Sequence, residues 1–246
     1  MISLTKMPHR RSFRMLCLAL TLVFSCLISN GQAQAQTQAA LFFINNSGPV
    51  PRNNLNMLLE SIAVSISREA LQNAYHRTVF LIGNSAGRDN LSYYLNYLLS
   101  SFNRLDVFVL AHGSGGPAYN NDNAFYGADK IGAYDLLQMV NSLSSSVRTR
   151  LRAVYQMNCY AWYLNITWRA MGAAVVSGAK SINANAALEY PSWVAKWSYN
   201  YSYLSVRDLS WLASWWLDLI YRPLRPDKPV DSYKYITGDA WRSLMN

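Results

Sequence analysis

The chain has 246 residues, 51% of them hydrophobic and 14% charged, which excludes a disordered polyelectrolyte, a simple repeat and a coiled coil. Its 22 Lys and Arg against 13 Asp and Glu give +9, a balance that at face value suits a polyanion binder. Four of those cations lie in the first 14 residues, and the polyanion reading weakens once that segment is set aside.

Lys6, Arg10, Arg11 and Arg14 precede an apolar run from Met15 to Ile28, and a polar stretch then carries Ala33-Gln34-Ala35. This is the layout of a secretory signal peptide over residues 1–35, with an apolar run too short for a membrane span. A lipoprotein signal at Cys26 fits less well, because Phe24 is too large for its small-residue position and Leu27 and Ile28 prolong the apolar run. The remaining chain holds 18 basic and 13 acidic residues, or +5, with no cluster of Lys or Arg. The expectations are a secreted or periplasmic protein, no integral membrane span after signal removal, and no nucleic-acid partner. Cys17 and Cys26 leave with the signal, so Cys159 alone remains, in a compartment where thiols are paired, buried or used.

Leu41 to Ile44 reads as a first strand, closed by the loop signal Asn45-Asn46-Ser47-Gly48-Pro49. Asn53 to Ala74 spaces Leu55, Leu58, Leu59, Ile62, Ile66 and Leu71 as a helix does. Thr78 to Ile82 is a second strand, Gly83 to Gly87 a turn, and Leu91 to Phe102 a second helix. Asp106 to Ala111 forms a third strand that stops at His112-Gly113-Ser114-Gly115-Gly116. A helix over Tyr134 to Leu143 leads to a fourth strand, Arg152 to Met157, which ends at Asn158-Cys159. A short helix from Tyr163 to Met171 precedes a fifth strand, Ala173 to Val176. This alternation predicts an α/β three-layer sandwich, a mainly parallel sheet flanked by helices, over residues 36–205. Ser177 to Trp193 reads as loop. Val206 to Tyr221 reads as one helix, apolar nearly all round, within a C-terminal helical extension, 206–246, packed on the domain. Such a helix is expected to be buried against the sheet or a partner subunit rather than to meet a membrane.

In a sheet of this kind chemistry gathers at the carboxyl ends of the strands. Two strands end in reactive groups, the third in His112-Gly113 and the fourth in Cys159, one crossover apart. A thiolate there can attack an acyl carbon while the imidazole protonates the leaving amine. The Gly113 N–H, unobstructed by a side chain, can face the developing oxyanion. A helix beginning just after Cys159 is expected to lower its thiol pKa. His76, in a polar turn, reads as a surface histidine. Two distant histidines and one cysteine make no zinc set, and no phosphate loop or dinucleotide fingerprint is present, so no metal or cofactor is expected.

FVLAHGSGG and VYQMNC resemble the paired motifs of the caspase-like cysteine peptidases, a superfamily that includes caspases, legumains and gingipains. The resemblance spans roughly Leu41 to Ala179. It implies a catalytic dyad of His112 and Cys159, Gly113 in the oxyanion hole, and a protein or peptide substrate. Two departures stand out: Asn158 replaces the small residue common before the cysteine, and Tyr160-Ala161-Trp162 follows it in place of Gly or Ser. They leave open a catalytically inactive relative that binds peptides or partners. Gly83-Asn84-Ser85-Ala86-Gly87 also matches the nucleophile elbow of a serine hydrolase, but the oxyanion strand would have to precede Ser85 and a histidine would have to follow an acid late in the chain, and neither occurs.

The loops after the first and fifth strands should flank the dyad, which makes Asn45, Arg52, Ser177, Gly178 and Lys180 candidate substrate-binding residues. Caspases place an arginine that binds the substrate's aspartate after their first strand, and Arg52 occupies a comparable stretch. Lys180 adds positive charge, and neither loop carries an acid, so the expected residue before the cut is acidic or polar, Asp or Asn.

Overall fold

The computed structural model describes residues 37–48, 53–116 and 122–246. The expected signal peptide and Arg52 lie outside the described residues. Strands β1 (Gln38–Asn45), β2 (Arg77–Ile82), β3 (Arg104–Ser114), β6 (Leu151–Gln156) and β7 (Val175–Ala179) are parallel, and β8 (Lys234–Gly238) closes one edge antiparallel to β7. The order across the sheet is β2-β1-β3-β6-β7-β8, with the site-bearing β3 and β6 side by side at its centre. Two three-residue strands, β4 (Ala124–Tyr126) and β5 (Lys130–Gly132), form a hairpin on the overhanging end of β3, pairing His112 with Tyr126 and Gly113 with Phe125.

The helices that join these strands are α1 (Asn54–Leu71), α2 (Arg88–Ser101), α3 (Ala133–Met139), α4 (Ser145–Arg148), α5 (Asn165–Ala170), α6 (Ala186–Ser198), α7 (Tyr203–Leu212) and α8 (Trp216–Tyr221). α1 begins on a reciprocal cap between Asn53 and Asn56, each side chain accepting from the other's main-chain N–H. On one sheet face Leu41, Phe43, Val107, Val109 and Val154 bury against Leu91, Leu95 and Leu98 of α2 and Trp168 of α5. On the other, cross-strand partners Phe80, Phe42 and Phe108 stack with centroids 4.6 and 4.5 Å apart. Tyr155, the next partner of Phe108, lies against Trp193 of α6 at 4.2 Å. Such in-register aromatic pairs stabilise a sheet beyond the area they bury.

Sequence and structure part at several elements. α6 occupies much of the stretch expected as loop. Pro191 falls inside it and removes a helical hydrogen bond, an expense offset by burying Tyr190, Trp193, Val194 and Trp197. The expected helix over Val206 to Tyr221 is broken at Ala213–Trp215 into α7 and α8. It is not buried against the sheet along its length. Tyr203, Val206 and Ser210 turn inward, while Leu212, Trp215, Trp216, Leu219 and Ile220 are exposed. Residues 206–246 also add a strand, β8, to the sheet, an element absent from the sequence reading.

A buried ion pair ties the two site-bearing strands below the site. Arg152 on β6 donates through Nε and Nη2 to the two carboxylate oxygens of Asp106 on β3, at 2.9 and 2.6 Å, both side chains at most 3% exposed. Tyr75 and the Trp197 indole also donate to Asp106 Oδ2, and Arg152 donates to the Leu244 carbonyl. Burial, with the Asp106 charge next, pushes the Tyr75 hydroxyl well above its ordinary pKa, so it stays a donor. Asp106→Ala strands the guanidinium in the core and is expected to cost about 3–5 kcal/mol in urea denaturation. The double variant Asp106→Leu/Arg152→Met should recover most of that loss.

Candidate active site

The site forms where β3 and β6 end. Their register pairs Val109 with Gln156, and the Met157 N–H donates to the Val109 carbonyl at 2.8 Å, so continuing it sets Cys159 level with His112. Contact is closest at the next residue. A Cβ on Gly113 would lie 2.2 Å from the Cys159 carbonyl oxygen and 3.0 Å from the Cys159 nitrogen, so only glycine lets the two main chains approach this closely.

His112 is exposed, and the loop after β1 holds it. Its Nε2 lies 3.0 Å from the Asn46 carbonyl oxygen. A carbonyl only accepts, so Nε2 is the donor in this contact. Gly48, at φ +59°, packs against the ring: a Cβ there would lie 2.9 Å from His112 Cβ and Cδ2. Asn45 shapes that loop. It is buried, its amide donates to the Gly83 carbonyl, and its Oδ1 accepts from the N–H groups of Ser47 and Gly48. Its side chain is thereby committed to the loop instead of being available to a substrate, and the sequence reading missed the neighbouring Asn46, which acts through its main chain.

Cys159 is half-buried and starts a tight turn. Tyr160 adopts a left-handed conformation at φ 58°, its N–H donates to the Ser181 carbonyl, and a single 3-10 turn over Ala161–Leu164 follows. The expected lowering of the thiol pKa by a helix start does not prevail. Burial pushes the Cys159 thiol up, against smaller opposing effects from the Asn183 N–H and the Lys234 charge. The Asn183 N–H is 3.4 Å from Cys159 Sγ, and no feature of the sequence reading marked Asn183. Asn158 is fully buried, and neither polar atom of its side chain has a partner among the described residues.

The loop after β7 departs from expectation in part. Ser177 is fully buried, its hydroxyl 2.7 Å from that of Tyr203, and Gly178 lies under the turn after Cys159, where a Cβ would meet Ala161 C at 2.5 Å. Both pack in the sheet beneath the turn that follows Cys159. Lys180 is half-buried, with Nζ 4.0 Å from the Tyr235 ring centre and 4.6 Å from that of Trp162. Ser85 sits at the end of β2, an edge strand, and its hydroxyl both accepts from the Ile82 N–H and donates to the Ile82 carbonyl. The hydroxyl is used up closing its own turn, and His112 belongs to a strand two places away.

Among solved structures the chain is similar to caspase-1 from Spodoptera frugiperda, with a TM-score of 0.53 over 86% of this chain and 92% of that one, at 10% identity. It is also similar to a secreted C11 cysteine protease from Bacteroides thetaiotaomicron solved with an irreversible peptide inhibitor, at 16% identity and a TM-score of 0.43. That match covers 64% of this chain and 53% of the protease, so the chain spans about half of its length. No protein-family model matches the chain, and no curated protein does. Identity this low speaks to architecture alone, and the architecture is a caspase-like α/β fold.

Gly113→Ala tests the close approach directly. The added methyl must push the ends of β3 and β6 apart, which is expected to cost about 1–3 kcal/mol. The melting midpoint should fall by roughly 2–4 °C for each of those kcal/mol.

Proposed function

We propose that the protein is an exported cysteine endopeptidase in which Cys159 is the nucleophile and His112 the acid–base partner. The observation that carries this reading is the contact of the Gly113 main chain with that of Cys159, which sets both reactive residues at neighbouring strand ends. His112 takes the thiol proton as the Cys159 sulfur adds to the substrate carbonyl carbon, and the oxyanion is met by the main-chain N–H groups of Gly113 and Cys159. The C–N bond then breaks, with His112 giving a proton to the departing amine. Water, deprotonated by His112, releases the acyl group from sulfur and restores the thiol. Export rests on the signal-like residues 1–35.

An acyloxymethyl ketone peptide should label the wild-type protein on Cys159, and Cys159→Ala should abolish labelling. His112→Ala should slow peptide cleavage by about 100- to 10,000-fold. Wild-type protein that neither labels nor cleaves would favour the inactive, binding relative. Because burial raises the thiol pKa, iodoacetamide should alkylate Cys159 slowly at pH 7. The rate should climb through a midpoint above that of a free thiol, since the reactive thiolate forms only as pH passes the raised value.

Substrate preference follows from Lys180. Its ammonium lies on two aromatic rings and has no carboxylate partner among the described residues, so it remains able to receive one. Matched peptides differing only before the scissile bond should be cut faster with Asp or Asn than with Arg or Lys. Lys180→Ala should narrow that gap, and Arg52→Ala tests the second candidate cation. Preference for Arg or Lys would refute both assignments.

A further inference from the structure

The nucleophile proposed above has a neighbour that the dyad does not use. Asn183, between β7 and α6, makes three contacts with the site. Its main-chain N–H points at Cys159 Sγ (3.4 Å), its side-chain amide donates to the Met157 carbonyl (2.7 Å), and its Oδ1 accepts from Lys234 Nζ (2.6 Å). Lys234, the first residue of β8, is 0% exposed. Its Nζ also donates to Glu189 Oε2 of α6 at 2.8 Å and to the Ser232 carbonyl at 3.1 Å, so all three ammonium protons are placed. Glu189, likewise 0% exposed, accepts the Tyr155 hydroxyl at 3.0 Å through its other oxygen.

A fully buried ion pair is poor value for stability alone. Desolvation costs several kcal/mol per ion, and apolar residues of the same volume often do as well. Here the pair is joined through one side chain to the residue that donates to the sulfur. The charged groups acting on Cys159 are Lys234 from β8 and Arg225 from the segment after α8, while His112 lies on the adjoining strand β3. Glu189 Oε2 accepts from the Lys234 ammonium, and Tyr155 donates to the other Glu189 oxygen.

We infer that Lys234 is a positioning residue for Cys159: anchored by Glu189, it clamps the Asn183 side chain so that the Asn183 N–H is held on the sulfur. The inference rests on Cys159 being the reactive group, and alkylation by iodoacetamide tests it without requiring peptide cleavage. The pH dependence of alkylation is measured on the full chain and four variants: Lys234→Met, Lys234→Arg, Asn183→Ala, and Lys234→Met/Glu189→Leu, which leaves no carboxylate stranded. In the double variant the alkylation midpoint should move to higher pH, slowing the reaction by about tenfold per pH unit below it. Asn183→Ala keeps the main-chain donor but removes the clamp, and should move the midpoint in the same direction by less. Lys234→Arg should restore part of the shift.

A folded double variant, with wild-type melting and circular dichroism, that alkylates with the wild-type profile would overturn the inference. Should the double variant fail to fold, an unchanged profile in Asn183→Ala would overturn it equally. Wild-type protein that cleaves no peptide yet shows the shifts would refute the peptidase reading and leave the clamp standing.

Discussion

The parallel register of β3 on β6 is the constraint on which the site depends. Two strands paired in parallel leave the sheet together, so whatever follows their last hydrogen-bonded residues emerges at one edge. Here the last rung, Met157 N–H to the Val109 carbonyl, sits just below His112 and Cys159, and Gly113 lets the chains stay close one step beyond them. Slipping that register by one residue would turn His112 and Cys159 to opposite faces. The Asp106–Arg152 pair makes a slip expensive, because its bidentate geometry exists in one alignment only.

The two sheet faces do different work. The face toward α2 and α5 is packed mainly by aliphatic side chains and fixes the layers. The opposite face carries the aromatic row from Phe80 to Tyr155, and Trp193 stacks on it while touching Trp197 and Tyr203. Tyr155 closes the row and also donates to Glu189, so the row ends on the polar group that neighbours Lys234. The aromatic row thus spans four strands and ends beside the groups around the sulfur.

The central strands were readable because buried parallel strands are unbroken apolar runs with polar punctuation, and DVFVLAHG and RAVYQMNC are both of that kind. Placing His112 and Cys159 at neighbouring ends followed from chain order and one crossover. The outer elements were harder to see. β8 opens with Lys234, a charge that argues against a buried strand until Glu189 supplies its counter-ion from 45 residues away. Pro191 hid α6, although Glu189, the sole acid among AALEYPSWVAKW, was a signal that something charged had to meet it. Asn45, Ser177 and Gly178 show another limit. Position at a strand's carboxyl end does not tell which side chains turn outward, and these three serve the loop and the packing below the site.

Lys234 lies 75 residues beyond Cys159 in the chain. A polypeptide made from its N-terminus therefore presents His112 and Cys159 well before the strand that completes the setting of the sulfur. Until β8 docks, Glu189 lacks the Lys234 ammonium, the β7 edge is open, and Asn183 Oδ1 lacks its Lys234 donor. Chain order alone thus sets a sequence in time: residues 112 and 159 are made before the strand that brings Lys234 to the surroundings of the sulfur.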